Sequence, residues 1–442
     1  MAANSSAAVP PTKSILIIGS GELLNRLPEA LSCEQIFVDL FDVKNSVLAK
    51  SAFVRHHLVL DHGKNEPLHK AVFRNRKKLS NLDYDYFLFA DDLIAIELAR
   101  KSKDVEMQLK LLPVRRAEGI RLVGSKVGFV NVAHVAKIKI PRSLVARNPN
   151  ELVELSRSFN SKYLVKADVG GGGSTVRRFK EPVNFSQAKE LKSWFPVVVQ
   201  EEIEGTLISV EGFYDSGKLL GWVYSKFDVE SWEFGPSTRR TYFDPPGFDF
   251  EQTLMEFGSA SGFHGFMNAT FIWNEEEKFH YLFEADNRAN GWHQFANRFG
   301  VHWGNLFANS ERIIDPVRQK LPQQQVTFSL FPREPLFGIY IGKWKPALRW
   351  LWLWPRPGTW EARNNLDKAV NRAELLEIKV AISNRLRLRL VKPFRFVKLV
   401  PRRLHLLLAK MFVWGWQSLN ENTRARLESA GLKKLLVFIF RV

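Results

Sequence analysis

The sequence predicts an α/β (α+β) protein with two consecutive folded parts and a strongly basic C-terminal extension. Three observations carry this expectation. Residues 14–31 read as an apolar strand, a tight turn and a helix; residues 162–180 read as a β-hairpin tipped by four consecutive glycines; residues 265–291 read as a second hairpin ending in paired carboxylates. The chain has 442 residues, 45% of them apolar and 25% charged. That suits two to four domains of roughly 150 residues and excludes a disordered or low-complexity protein. The single cysteine, Cys33, excludes a disulfide scaffold and a multi-cysteine zinc site and fits a reducing compartment. The opening MAANSSAAVPPTK lacks the charged-then-apolar pattern of a secretory signal. No uncharged apolar stretch reaches the ~18 residues of a membrane span, so a cytoplasmic location is expected.

Residues 14–18 (SILII) have the unbroken apolar character of a strand buried on both faces, and Gly19-Ser20-Gly21 turns the chain into the helix-like ELLNRLPEAL. A dinucleotide fingerprint is excluded, because its third glycine would stand at Leu24. A further strand is expected at 84–90 (YDYFLFA), then Asp91-Asp92 and a helix, IAIELARKSK. The two aspartates either meet a substrate at the strand's C-terminal end or cap the helix.

In KYLVKADVGGGGSTVRRFK, two β-rich runs flank Gly170, Gly171, Gly172 and Gly173. Such a run is costly in backbone entropy, yet it lets N–H groups approach an anion closely and cradle phosphate oxygens. Ser174 adds a hydroxyl, and Lys166 stands where its ammonium reaches the same phosphates. A Walker loop is excluded, since no G-K-[ST] closes the run and no helix follows. The alternatives are a lid over a nucleotide and a mobile surface turn.

FMNATFIW and FHYLFEAD flank the polar turn NEEEK. On a strand, residues two apart share a face, so Glu284 and Asp286 project together, with Asn268 on the partner strand. Two carboxylates and an amide oxygen are hard ligands suited to Mg²⁺ (or Mn²⁺) shared with phosphates, and Arg288 is placed to offset charge on a transferring phosphoryl group. A salt-bridged edge strand is the alternative.

These two stretches, in this order, resemble the ATP-grasp superfamily, over about residues 14–310. GSKVGFVNVAHVAKIKIP looks like the segment opening the nucleotide domain, with Lys126 as the first phosphate lysine and Lys166 as the second. Gly170 to Ser174 look like the lid loop. PVVVQEEIEG resembles the adenine linker: Gln200 takes its first position, Glu201, Glu202 and Ile203 follow, and Gly205 closes it. FEADNR resembles the metal and catalytic element, with Glu284 and Asp286 as metal ligands and Arg288 as the catalytic arginine. Leu207 stands where the family often has a ribose-binding glutamate, leaving Glu202, Glu204 or Glu211 for that contact, and Asn268 stands where it has its first metal carboxylate. The resemblance implies a flexible N-terminus (1–13), a Rossmann-like pre-ATP-grasp domain (14–122), an ATP-grasp domain (123–312, lid subdomain about 145–200) and a basic tryptophan-rich region (313–442). It implies ATP and Mg²⁺ as cofactors, and a ligase that activates a carboxylate as an acyl phosphate for attack by an amine, with Lys166 and Arg288 as catalytic groups. Residues 226–246 are expected to form a substrate loop in which Arg239 and Arg240 bind the substrate carboxylate.

The net charge of +18 is concentrated: residues 331–442 hold 23 cations, 7 acids and seven of the thirteen tryptophans. RLRLRL at 385–390 segregates arginine from leucine, and a helix from Pro401 would gather Leu404, Leu407, Leu408 and Met411 on one face. Cations, leucine and tryptophan on such segments point to an in-plane anchor on an anionic membrane through residues 385–416. A protein partner ranks next and nucleic acid last, since no recognised nucleic-acid module is present. Two functions stand open: an ADP-forming ligase at the cytoplasmic membrane face, and a catalytically silent ATP-binding scaffold or sensor.

Overall fold

The computed structural model describes residues 13–330, except Ser20, Glu22, Leu23, Lys64, Ser231, Trp232 and Gln323. The expectations for residues 1–12 and for the membrane segment at 385–416 therefore lie outside the described residues.

Strands β1 (Lys13–Ile18), β2 (Ile36–Asp42), β3 (His57–Val59) and β4 (Tyr86–Phe89) form a parallel sheet in the order β3-β2-β1-β4. The apolar run of β1 has its cause here. Leu16 and Ile18 pack into one core with Phe87 and Phe89, whereas Ile15 and Ile17 pack into another with Tyr86 and Leu88. Alternate side chains point to opposite faces, and both faces are covered. Of the helix expected over ELLNRLPEAL, residues 24–26 are a turn and Leu27–Leu31 a helix, because Pro28 fits only a first helical turn. After β4 comes α1 (Asp92–Lys101).

Helix α2 (Lys126–Val135) leads to a second sheet of β5 (Ser143–Ala146), β6 (Tyr163–Ala167), β7 (Val176–Phe179) and β8 (Val197–Glu201). Its strands are antiparallel in the order β5-β8-β6-β7, and the four glycines lie in the β6–β7 connection. The third sheet contains β9 (Thr206–Asp215), β10 (Lys218–Glu230), β11 (Ser237–Phe243), β12 (Gly265–Asn274), β13 (Phe279–Asp286), β14 (Val317–Arg318) and β15 (Gln325–Ser329). Its order is β13-β12-β9-β10-β11-β15, with β14 beside β10. Helix α3 (Asp249–Ser261) packs on β10 and β13 and ends at Gly262, whose φ of +65° is the left-handed C-terminal turn glycine favours.

The β12–β13 pairing carries a bulge. Asn268 faces Asp286 and Thr270 faces Glu284, but Phe271 faces Leu282, which leaves Phe283 as an extra residue. Leu282 is thereby fully buried in the core, while Glu284 and Asp286 fall on the face of Thr270 and Asn268.

Asp168, just after β6, ties three elements together. Its Oδ2 accepts from Arg100 of α1 at 2.6 Å. Its Oδ1 accepts from Ser125 Oγ at 2.6 Å and from the Val127 N–H at 3.0 Å, both at the start of α2. Ser125 in turn caps α2 by accepting from the Gly128 N–H. Hydrogen bonds to a charged group contribute ~1.5–3 kcal/mol each when the partners are buried, and Arg100 is half exposed and counts for less. Asp168→Ala is therefore expected to lower unfolding stability by about 2–3 kcal/mol in urea titration, more than Glu97→Ala, whose lysine partners are both half exposed.

Candidate active site

A cavity of about 310 Å³ opens between the N-terminal ends of α1 and α2, the glycine connection and the last turns of β13. β6 is buried throughout, so Lys166 is delivered to this cavity from the interior, and the residue is only 3% exposed. Its ammonium lies over the Phe283 ring, 3.3 Å from the centroid, and makes no ion pair among the described residues. Burial, with Lys126 nearby, pushes Lys166 down to about 7 despite Glu284. Lys126, the first residue of α2, donates to the Gly170 carbonyl at 2.8 Å and lies 3.4 Å from Glu284.

Glu284 and Asp286 are brought to the same wall. Burial pushes Glu284 up, but Lys126 and Lys166 together outweigh it and hold the carboxyl below its usual range. Asp286 goes the other way: burial, with Glu284 and Asp92 close by, pushes it up to about 7 against the pull of Arg288. Arg288 sits behind them, its Nε donating to Asp92 at 2.7 Å and its Nη2 lying 3.8 Å from Asp286. Burial alone would lower Arg288, yet Asp286 and Asp92 raise it above its ordinary value.

Of the residues expected at a nucleotide, Lys126, Lys166, Gly170, Gly171 and Gln200 line this cavity with Glu284 and Asp286. Gln200 is buried, its amide nitrogen donating to Ser143 Oγ at 3.0 Å. Gly172, Gly173, Ser174, Glu201, Glu202 and Ile203 lie off the cavity wall. Ser174 Oγ donates back to the Gly171 carbonyl at 3.0 Å. Gly173 has φ +73°, and a Cβ there would meet the Phe234 carbonyl oxygen at 2.3 Å, so this glycine serves a close approach to the β10–β11 connection. Glu202 pairs with Arg178 at 2.6 Å and Glu204 with Lys162 at 3.4 Å, both away from the cavity.

The substrate-loop expectation is corrected. Residues 218–230 and 237–243 are paired strands, and Arg239 and Arg240 are buried at 6% and 3% exposure. Arg240 pairs with Glu211 at 2.5 Å and Arg239 donates to Ser329 at 3.2 Å. Arg240 is thus committed to a partner inside the sheet. Glu211, considered for the ribose contact, is equally buried. Asn268 stands opposite Asp286 but behind the wall, its amide nitrogen donating to Ser209 and Glu211. Asp91 is the N-cap of α1, accepting from the Leu93 N–H at 2.9 Å, while Asp92 meets Arg288. The pairing of Asp92 with Arg288 and the ring of Phe283 are site features that sequence reasoning missed. Asp92 had a signal, its place at a strand's C-terminal end. Phe283 had none.

No group of three or more His, Cys, Asp or Glu suited to a metal occurs among the described residues. The donor set of Glu284, Asp286 and the Asn268 oxygen still fits a hard divalent cation. Asp286 is a half-buried carboxyl beside other carboxylates, and such a cation would offset that charge while phosphates and waters complete its shell.

No protein-family model matches the sequence, and no curated protein matches it. Solved structures do. N5-carboxyaminoimidazole synthetase from Staphylococcus aureus, complexed with ADP, is 11% identical with a TM-score of 0.55, over 72% of this chain and 82% of that one. Biotin carboxylase from Campylobacter jejuni, in its beta-gamma-ATP complex, is 14% identical with a TM-score of 0.52, over 71% and 74%. Phosphoribosylamine–glycine ligase from Thermotoga maritima is 16% identical with a TM-score of 0.50, over 71% and 79%. The fold is that of the ATP-grasp enzymes.

Lys166 carries its charge below about 7 and loses it above, whereas Asp286 is neutral below about 7 and anionic above. Calorimetric titration between pH ~6 and ~8 is therefore expected to show metal-free tripolyphosphate binding weaken as pH rises, while Mn²⁺ binding tightens.

Proposed function

We propose that the chain is an ADP-forming ligase that uses ATP to activate a carboxylate for attack by an amine. The observation that carries this reading is the buried, ion-unpaired Lys166 facing Glu284 and Asp286 across one cavity in an ATP-grasp fold. Val198 and Gln200 form the adenine end, and Lys126, Lys166 and the backbone of Gly170 and Gly171 receive the phosphates. Glu284, Asp286 and the Asn268 oxygen would hold Mg²⁺, which when bound offsets the charge on the β- and γ-phosphates.

The chain's own groups do the rest. A substrate carboxylate oxygen attacks the γ-phosphorus, the bond to the β–γ bridging oxygen breaks, and ADP leaves with that electron pair. Lys166 and Arg288 stabilise the charge that develops on the transferring group, and Asp92 holds Arg288 in place. The amine then attacks the acyl carbon, phosphate departs, and the nitrogen gives up its proton. The glycine connection over the cavity keeps water from the acyl phosphate. The substrate carboxylate and the amine are themselves the nucleophiles, so no nucleophilic side chain is needed.

The basic tail extends the proposal: the ligase works at an anionic membrane surface, bound through residues 385–416, on an amphiphilic or envelope-related substrate. Nine cations between Arg385 and Lys410, each contributing on the order of 1 kcal/mol near such a surface, support this part. No helix among the described residues is long and apolar enough to cross a membrane.

Full-length protein given Mg·ATP with panels of acids and amines should release ADP and phosphate, and Lys166→Ala or Glu284→Ala should cut that release by about 100-fold or more. Unchanged turnover in both variants would show the site to be elsewhere. Tight ATP binding with no ADP from any acid–amine pair would favour the silent scaffold. In flotation, the full chain is expected to rise with phosphatidylglycerol vesicles at low salt and to remain below with phosphatidylcholine.

A further inference from the structure

Asn268 lies between two carboxylates. On β12 it is opposite Asp286 of β13 and also opposite Glu211 of β9, so the three side chains share one face of the sheet. A primary amide has a donor end and an acceptor end, and only one end can face each neighbour. The hydrogen bonds around it settle which. Asn268 Nδ2 lies 2.7 Å from Ser209 Oγ and 3.1 Å from Glu211 Oε1. Ser209 has one hydroxyl proton and donates it to Glu211 Oε1 at 2.8 Å. Towards Asn268 it therefore presents only lone pairs. The Glu211 carboxylate also presents only lone pairs. A reversed amide would set its oxygen against two acceptors, so the nitrogen belongs on the Glu211 side and the oxygen on the side of Asp286.

Arg240 makes this arrangement affordable. Its Nη1 donates to the same Glu211 oxygen at 2.5 Å, offsetting a carboxylate that is otherwise fully buried. Rings of Trp292 and Phe227 lie 4.5 and 4.6 Å from the guanidinium and hold it in place. None of these groups lines the cavity.

We propose that Glu211, fixed by Arg240 and assisted by Ser209, is a positioning residue that locks the Asn268 amide with its oxygen toward Asp286, as the neutral third ligand of the divalent ion. The inference deepens the ligase reading and rests on it. The carboxylate missing at position 268 is replaced by an oriented dipole, and the orienting charge, paired with its own arginine, adds nothing to the charge of the ligand set.

The test is Mn²⁺ titration of the full chain followed by electron paramagnetic resonance, with the non-hydrolysable analogue AMP-PNP present. Glu211→Ala removes that acceptor and frees the Ser209 hydroxyl to donate or accept, so the amide is free to reverse. The variant is expected to weaken Mn²⁺ binding about tenfold or more, as loss of an orienting partner does, while metal-free AMP-PNP affinity stays at the wild-type value. Adding Asn268→Asp to that variant should restore Mn²⁺ binding, because a carboxylate offers oxygen whichever way it turns. Wild-type Mn²⁺ affinity in Glu211→Ala, or failure of the double variant to recover, overturns the proposal. Should Glu211→Ala not fold, Asn268→Leu leaves the Glu211–Arg240 pair intact and must show a comparable loss; unchanged Mn²⁺ affinity there overturns it too. A wild-type chain that binds AMP-PNP but no Mn²⁺ removes both this inference and the metal-dependent ligase. Mn²⁺ bound normally by wild type and by every variant removes this inference alone.

Discussion

A lysine side chain held out of water, with no carboxylate in ion-pair contact among the described residues, is the constraint on which the site depends. Lys166 occupies a strand position whose neighbours, Val165 and Ala167, are fully packed, so its chain has no route to solvent except the cavity. The ring of Phe283 offers only a weak electrostatic partner. On its own side of the cavity Lys166 has a second cation and open backbone beside it. Lys126 enters from the start of α2, where the helix dipole also favours negative charge, and the glycine connection brings backbone close by.

The carboxylates answer the same constraint from the opposite wall. Glu284 stays anionic because two ammonium groups face it, while Asp286, one pleat further on, is left in the carboxylates' own field. Arg288 is drawn back toward Asp92, so an aspartate of the first sheet's helix takes part in the electrostatics of the third sheet. Asp168 and Arg100 form a parallel link between the same helix and the glycine connection. Helix α1 thus does more than cover the parallel sheet: two of its charged side chains set the position of groups at the cavity.

Much of this was legible in the sequence because the signals were local. The unbroken apolar run SILII required cover on both faces, and the spacing of Glu284 and Asp286 required a shared face whatever lay opposite. The glycine tip and Lys166 belong to one hairpin, so their proximity followed from its register. What escaped was carried by distant partners. Arg240 read as a substrate ligand because Glu211, 29 residues earlier, carries no mark of being its buried counter-charge. Asp92 read equally as a cap because Arg288 is far along the chain. Pro28 did announce a helix start, and the longer helix was a misreading of a visible signal.

The extra residue at Phe283 changes the parity of its strand. Upstream of it, Leu282 answers to the hydrophobic interior; downstream, the same alternation delivers acids to the ligand side without any break in the ribbon. One continuous strand can therefore serve as ballast in one half and as a display in the other. Were the strand to alternate strictly through Phe283, Glu284 would fall on the face of Leu282, and either charge would be sent inward or leucine outward.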